Sequence, residues 1–333
     1  MKKFKYAIEM GGGYTCIYVK NEGLALKEPT LIAAEPTEDG YKVIAMGNDA
    51  KKLVGKTKEN VEIFTPVVSG EHSNFEYSVI LMKHFLSKVG FKPYEDNAIF
   101  VIPCGISAHE KENILNVCES AGLGFVALVP SVLCSCIGAG RNIDNSKVNM
   151  VVDIGGTSTD LAVINMSSII KGATLGIGGK SIDAAIVNFL AYTQNLVIGL
   201  PTAEILKNEV GSLYTNDTLN MEITGMDAET KSPKNVVVFS DDLRKAIEPF
   251  YSEIVRAIDT TINTLAPEIV ADIINNKILL VGGCSYMQGL EDYLNKHLAY
   301  PVERAADVRH ATIFGAGKLL NDTQLLENVL AKC

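Results

Sequence analysis

Two short segments of the 333-residue chain carry residue types suited to holding a phosphate chain. Residues 9 to 19 read EMGGGYTCIYV, and residues 153 to 163 read DIGGTSTDLAV. Aligned, they share an acid first (Glu9, Asp153), glycines third and fourth (Gly11 and Gly155, Gly12 and Gly156), a threonine seventh (Thr15, Thr159) and a closing valine. Apolar residues at strand-like spacing flank each one, so the pattern is strand, glycine turn, strand. Such a turn presents several backbone N–H groups to an anion, because no Cβ blocks the approach. An acid at the end of the leading strand suits a hydrated cation beside the phosphates. The Lys and Ser/Thr of a Walker-type loop are absent, and the glycines do not lead a strand into a helix as in the dinucleotide fingerprint. The segments stand 153 − 9 = 144 residues apart. That spacing implies two like-folded halves gripping one phosphate chain.

A third glycine site follows in KILLVGGCSYMQGLEDYL (277 to 294): a buried strand, a Gly282-Gly283 turn, then Met287, Leu290, Tyr293 and Leu294 at helical spacing. A glycine pair there admits a flat or anionic ligand to the backbone. TAEILKNEV (202 to 210) reads as a helix with Thr202 as N-cap and with Glu204 and Lys207 on one face. Spacing alone leaves open whether that pair is an exposed salt bridge or a ribose and adenine contact.

The elements that position these sites alternate. Lys42 to Met46, Ala98 to Ile102, Phe125 to Val129, Leu161 to Ile164 and Gly172 to Leu175 read as strands. Tyr77 to Val89, Ser107 to Ala121, Pro130 to Ala139, Ser181 to Tyr192, Asp241 to Thr264 and Ala311 to Leu320 read as helices, with Ser107 and Glu110 forming a capping box. Residues 211 to 240 are rich in Thr, Asn, Gly and Asp and read as short strands and turns. The result is an α/β protein with ligand crevices at strand ends.

Composition narrows the function classes. Hydrophobic residues make up 47% and charged residues 21%, a globular balance, and 30 basic against 39 acidic residues leave a net charge of −9. Beyond Lys2, Lys3 and Lys5 there is no basic run, so nucleic acid is not an expected ligand. Apolar runs reach only strand length, short of a membrane span, and the N-terminal MKKFKYAIE lacks the apolar stretch of a signal peptide. A cytoplasmic protein is expected. Seven cysteines, at 16, 104, 118, 134, 136, 284 and 333, lack zinc-site spacing and read as reduced core thiols.

The order of phosphate hairpin, small-residue helix, second hairpin, Glu/Lys helix and GG turn resembles the actin, Hsp70 and sugar-kinase superfamily. Within it the chain most resembles MreB, the bacterial actin of rod-shaped cells, as a divergent member. The likeness runs through NEGLALKEPTLIA (21 to 33), FVIPCGISAHEKENIL (100 to 115), CIGAG (136 to 140), NMVVDIGGTSTDLAVI (149 to 164), TAEILKNEVGSLY (202 to 214), PEIVADIINNKILLVGG (267 to 283) and GAGKLL (315 to 320).

That resemblance implies an actin-like ATPase fold, with two related ribonuclease-H-like domains around a nucleotide cleft. The first domain would be residues 1 to 145, with a small subdomain at about 34 to 65 and a closing helix 310 to 333 that returns to it. The second would be 146 to 309, with a small subdomain at about 185 to 245. It implies ATP or ADP with Mg2+ in the cleft, self-assembly into filaments, and cytoplasmic filaments peripheral to the inner membrane that work with cell-wall elongation proteins. Carried over residue by residue, Gly12, Gly13 and Tyr14 form the first phosphate loop and Gly155, Gly156 and Thr157 the second. Glu204, Ile205, Leu206 and Lys207, with Gly282, Gly283, Cys284 and Ser285, hold the nucleoside. Glu9 and Asp153 hold magnesium through water, and Asp153 and Thr159 are the catalytic candidates.

Departures from the family pattern matter equally. Glu9-Met10-Gly11-Gly12-Gly13-Tyr14-Thr15 stands where MreB proteins have Asp-x-Gly-Thr-Ala-Asn-Thr, so the carboxylate is one methylene longer and the threonine hydroxyl is missing. Ser131-Val132-Leu133-Cys134-Ser135-Cys136 stands where the family has Glu-Pro, Met and three alanines. The family glutamate helps position or activate the attacking water, and serine cannot replace its carboxylate. Thr157 stands for a glycine, Asp160 for a glutamate, Cys284 for the last glycine of a GGG turn, and Lys180 for the usual acid after Gly178-Gly179. Nucleotide binding with slow or lost hydrolysis is therefore expected, with Lys180 offering a compensating charge near the phosphates. Two other readings share the cleft: a non-polymerising nucleotide-sensing regulator or scaffold, and a small-molecule kinase. For membrane contact, the Gly90 to Tyr94 loop, with Phe91 and Tyr94, is the available apolar element.

Overall fold

The computed structural model describes residues 3–38, 40–57, 60–68, 71–72 and 74–330. Lys2 of the short basic run, and Cys333 with the end of the expected closing helix, lie outside the described residues; within them that one helix is two, Ala311–Asn321 and Thr323–Leu330, because Asp322 between them is extended.

Two five-stranded sheets share one topology. In the first, Tyr6–Met10, Tyr14–Val19 and Gly23–Pro29 form an antiparallel meander, and Ala98–Ile102 and Val126–Pro130 add in parallel on the other side of Tyr6–Met10. In the second, Asn149–Ile154, Thr159–Asn165 and Ser168–Leu175 form the meander, and Ile278–Val281 and Val302–Arg304 add in parallel beside Asn149–Ile154. The hairpins that open the two sheets are in identical register: Glu9 faces Cys16 as Asp153 faces Asp160, and Met10 faces Thr15 as Ile154 faces Thr159. The repeated motif is thus a repeated structure.

Alternation along each central strand splits the interior into three layers. Tyr6, Ile8 and Met10 enter an outer core with the helices Phe75–Ser87 and Ala108–Ser120. Met150, Val152 and Ile154 enter an outer core with Gly179–Gln194 and the 23-residue helix Ser240–Ile262. Between the sheets, Ala7, Ile99, Val151 and Leu279 close on the helices Ser131–Gly138, Ala311–Asn321 and Thr323–Leu330. The first two of these cross at glycines. A Cβ on Gly138 would lie 1.7 Å from the Ala311 carbonyl oxygen, and one on Gly315 would lie 1.8 Å from that of Cys134. Only glycine permits so close a backbone approach.

The predicted capping box at Ser107 and Glu110 is present at the start of Ala108–Ser120. Thr202 is not an N-cap: its helix begins two residues earlier, as Leu200–Glu209, with Gly199 at the cap and Pro201 in the first turn, a placement that suits the fixed φ of proline. A three-stranded sheet of Leu196–Val197, Asn220–Asp227 and Pro233–Phe239 accounts for the polar 211 to 240 stretch, and another joins Ile32–Thr37, Gly40–Met46 and Glu62–Phe64. No described helix is long and apolar enough to cross a membrane. Phe91 turns inward, edge-on to the Tyr6 ring at 5.8 Å, and so is not available to a membrane, whereas Tyr94 is 75% exposed.

Candidate functional site

The two glycine turns close in the same way. The Gly11 N–H donates to the Tyr14 carbonyl at 3.1 Å, and the Gly155 N–H donates to the Ser158 carbonyl at 2.9 Å. They then meet: a Cβ on Gly12 would lie 2.5 Å from the Thr157 side chain, and one on Gly156 would lie 3.3 Å from the Gly13 Cα. Among the described residues no protein acceptor takes the N–H groups of Gly12, Gly13 and Gly156. Free amides on facing glycine turns form a cradle for an anion. Tyr14 is 41% exposed at the rim, where its hydroxyl accepts from Lys51 Nζ at 3.0 Å.

Glu9 and Asp153 stand at equivalent places behind these turns. Burial, then the charge of Asp153, raises Glu9 to about 8, with Lys27 opposing; burial, then the charge of Asp160, raises Asp153 to about 6. Asp153 Oδ2 accepts from Ser135 Oγ at 3.0 Å and Thr312 Oγ1 at 3.2 Å, and the two hydroxyls lie 2.9 Å apart. Its other oxygen faces Gly282, where a Cβ would lie 2.5 Å away and where φ is 87°. A buried carboxylate raised by the charge of a second one, as Glu9 is by Asp153, fits a bound divalent cation, which would relieve that repulsion. No group of three or more His, Cys, Asp or Glu among the described residues could cage one, so a cation here depends on water and phosphate for its other ligands.

Thr159 is fully buried and its hydroxyl donates to the Ile177 carbonyl at 2.7 Å, so it fastens the strand rather than facing the turn. Ser131 is buried and donates to Asp160 Oδ2 at 3.1 Å; Thr174 donates to Oδ1 of the same carboxylate at 2.5 Å. Burial raises Asp160 while these hydrogen bonds lower it. The two departures from the family pattern at 131 and 160 are therefore in contact, and the serine hydroxyl is engaged by protein.

The nucleoside candidates separate. Glu204 and Ile205 reach the surface, with Lys51 at 3.8 Å from Glu204. Leu206 is in the core, and Lys207 is buried, paired with Asp183 at 2.7 Å and donating to the Gly179 carbonyl at 3.1 Å. Of the two readings left open for Glu204 and Lys207, the mutual salt bridge does not form, because Lys207 faces inward to Asp183 while Glu204 lies near Lys51. Gly283 has open space where a Cβ would go. Cys284 Sγ donates to the Gly155 carbonyl at 3.4 Å, tying the third glycine site to the second turn, while Ser285 is buried and turned back to Val281. Sequence reasoning missed Lys51, Asp183, Thr174 and Thr312, which reach the site only through long-range contacts and carry no local signal.

A family model described as MreB/Mbl protein matches residues 3–328. The chain belongs to the MreB/Mbl family. It is 31% identical to the cell shape-determining protein Mbl of Bacillus subtilis (strain 168), over 96% of each chain. It is 30% identical to the cell shape-determining protein MreB of Escherichia coli (strain K12), again over 96% of each. MreB5 of Spiroplasma citri, solved bound to AMPPNP, superimposes with a TM-score of 0.91 at 26% identity, covering 98% of this chain and 99% of that one. The MamK double helical filament structure matches at a TM-score of 0.77 and 19% identity and supports the fold alone. This MreB/Mbl protein therefore has the actin-like fold that its two hairpins imply, and both matched turns sit where its two sheets meet.

Proposed function

We propose that this MreB/Mbl protein binds ATP and ADP between its two glycine turns and polymerises into cytoskeletal filaments that serve cell shape and cell-wall synthesis. The observation that carries the reading is the meeting of the turns, Gly12 against Thr157 and Gly13 against Gly156, in front of Glu9 and Asp153. The free amides of Gly12, Gly13 and Gly156 would hold phosphate oxygens, with Tyr14 and Thr157 at the edges. Glu9 and the free oxygen of Asp153 would hold Mg2+ through water. Glu204, Ile205, Gly283 and Cys284 would border the nucleoside, while Leu206, Lys207, Gly282 and Ser285 support that surface from within. A nucleoside triphosphate supplies an anionic bridge between the halves, divided near residue 145, and a phosphoanhydride open to hydrolysis.

Hydrolysis is slow on this reading, because Ser131 lacks a carboxylate and its hydroxyl is committed to Asp160. Membrane attachment rests on Tyr94 and Lys92 in the Gly90 to Tyr94 loop, since Phe91 is packed inside. MreB5, at 26% identity, was solved bound to AMPPNP, which supports nucleotide binding here. Pelleting and negative-stain imaging with ATP, ADP or AMPPNP test the proposal. Filaments in at least one nucleotide state, with little phosphate release, are expected. A chain that stays monomeric in every state, or releases phosphate as fast as relatives carrying the glutamate, overturns it.

A further inference from the structure

Two lysines reach the region between the glycine turns, and they differ in how their charge is balanced. Lys207 is neutralised by Asp183 at 2.7 Å. Lys180 is not: among the described residues no carboxylate lies within 4 Å of its ammonium, which donates instead to the carbonyl oxygen of Gly12 at 2.6 Å. Asp183 and Glu204 act on it only at longer range, and burial lowers its affinity for the proton. A partly buried cation without a counter-charge is an unfavourable element of a folded protein, and an anion delivered to the same place removes the cost.

Its position is fixed by the backbone. Gly178 N–H donates to Ser181 Oγ at 2.9 Å, Gly179 N–H to the Gly155 carbonyl at 3.0 Å and Lys180 N–H to the Gly156 carbonyl at 2.8 Å. The start of the Gly179–Gln194 helix is thus fastened to the second turn, while the Lys180 side chain reaches across to the first. One residue touches both phosphate cradles. In the family pattern this place carries an acid, so the change inverts the local charge beside the phosphate-holding amides.

We propose that Lys180 is a direct ligand of the terminal phosphates of the bound nucleotide, leaving the Gly12 carbonyl for them and carrying part of the charge neutralisation that otherwise falls to the divalent cation. This deepens the nucleotide-binding reading above and rests on it. The ligand class is a nucleoside di- or triphosphate, and the consequence is affinity that survives removal of magnesium. AMP and adenosine, which lack the distal phosphates, gain nothing from Lys180.

The test is calorimetric titration of the full chain with ATP, ADP and AMP, in excess Mg2+ and in excess EDTA, for the wild type and for Lys180→Met, Lys180→Gln and Lys180→Arg. Methionine keeps the aliphatic stem and removes the charge. In EDTA the wild type is expected to lose less than about ten-fold in ATP affinity, and the Met and Gln variants to lose a further ten-fold or more for ATP and ADP but not for AMP; Arg should retain most of the wild-type value. Wild-type binding that disappears in EDTA overturns the proposal without recourse to any variant. Folded Met or Gln variants that bind ATP in EDTA as the wild type does also overturn it, while nucleotide binding itself stands. Absence of binding by the wild type in both conditions instead removes the nucleotide reading, and this proposal with it.

Discussion

Gly138→Ala should force apart the two helices that cross between the sheets. The added Cβ would lie 1.7 Å from the Ala311 oxygen, where ordinary contact begins at 3.4 Å, so the helices Ser131–Gly138 and Ala311–Asn321 must part by about 1.7 Å. That displacement exceeds what the 2.9 Å Ser135–Thr312 hydrogen bond tolerates, and Asp153, held by both hydroxyls, loses its anchor. Overpacking of this kind costs about 1–3 kcal/mol. A broken hydrogen bond among buried groups adds about 1–3 kcal/mol. The better helix propensity of alanine returns about 1 kcal/mol. The net is about 3 kcal/mol, a fall in melting temperature on the order of 4 °C for a chain of 333 residues. Thermal unfolding followed by circular dichroism reads this directly, with Gly176→Ala, which has open space, as a control expected to stay within about 0.5 kcal/mol. A Gly138→Ala protein that melts within about 1 °C of the wild type refutes the reasoning, because it shows that the crossing is not tight.

Gly12→Ala should abolish the rise in melting temperature that ATP gives the wild type, since its Cβ meets the Thr157 side chain at 2.5 Å and the Val67 oxygen at 2.8 Å; adding Thr157→Gly should restore only part of the shift, because the backbone contact remains. His72 is buried and held down to about 4 by burial, so the unfolded chain takes up its proton first as pH falls from about 6.5 to 4. Stability is therefore present above that window and lost through it, by about 3 kcal/mol, and urea titrations of His72→Leu should show a shallower pH dependence. Phe91→Ala should cost about 2 kcal/mol in urea unfolding while Tyr94→Ser stays within about 0.5 kcal/mol; on co-sedimentation with anionic vesicles, Tyr94→Ser should be the variant that weakens binding.

The sequence made the hairpins legible because acid, glycines and threonine sit within one turn and are all local. It made the departures at Ser131 and Asp160 legible one at a time. Their contact across 29 positions exists only once the small-residue helix is laid against the Thr159–Asn165 strand. The cap falls before Thr202 because Gly199 and Pro201 open the helix two residues earlier, whereas Glu204 and Lys207 part because helical spacing shows which residues lie near one another and only tertiary packing shows which of them is buried. Phe91 is the same lesson in a loop, an aromatic whose direction is set by a ring of the first strand. Thr312 is 159 residues from the Asp153 it holds, and nothing near it in the chain hints at a carboxylate.

The identical register of the hairpins relates their contacts by an approximate two-fold axis. That operation exchanges Gly12 with Gly156 and Gly13 with Thr157, so the contact of Gly12 with Thr157 maps onto the contact of Gly156 with Gly13. A dyad treats both ends of a linear ligand alike, so the turns by themselves assign no direction to one lying between them. Head must be told from tail by what breaks the symmetry. Within the hairpins this includes Gly13 against Thr157, Tyr14 against Ser158 and Cys16 against Asp160 at matching positions; outside them it includes Lys180 and the Leu200–Glu209 and Gly283–Tyr286 segments of the second half. The departures from the shared pattern are thus what give the site an orientation.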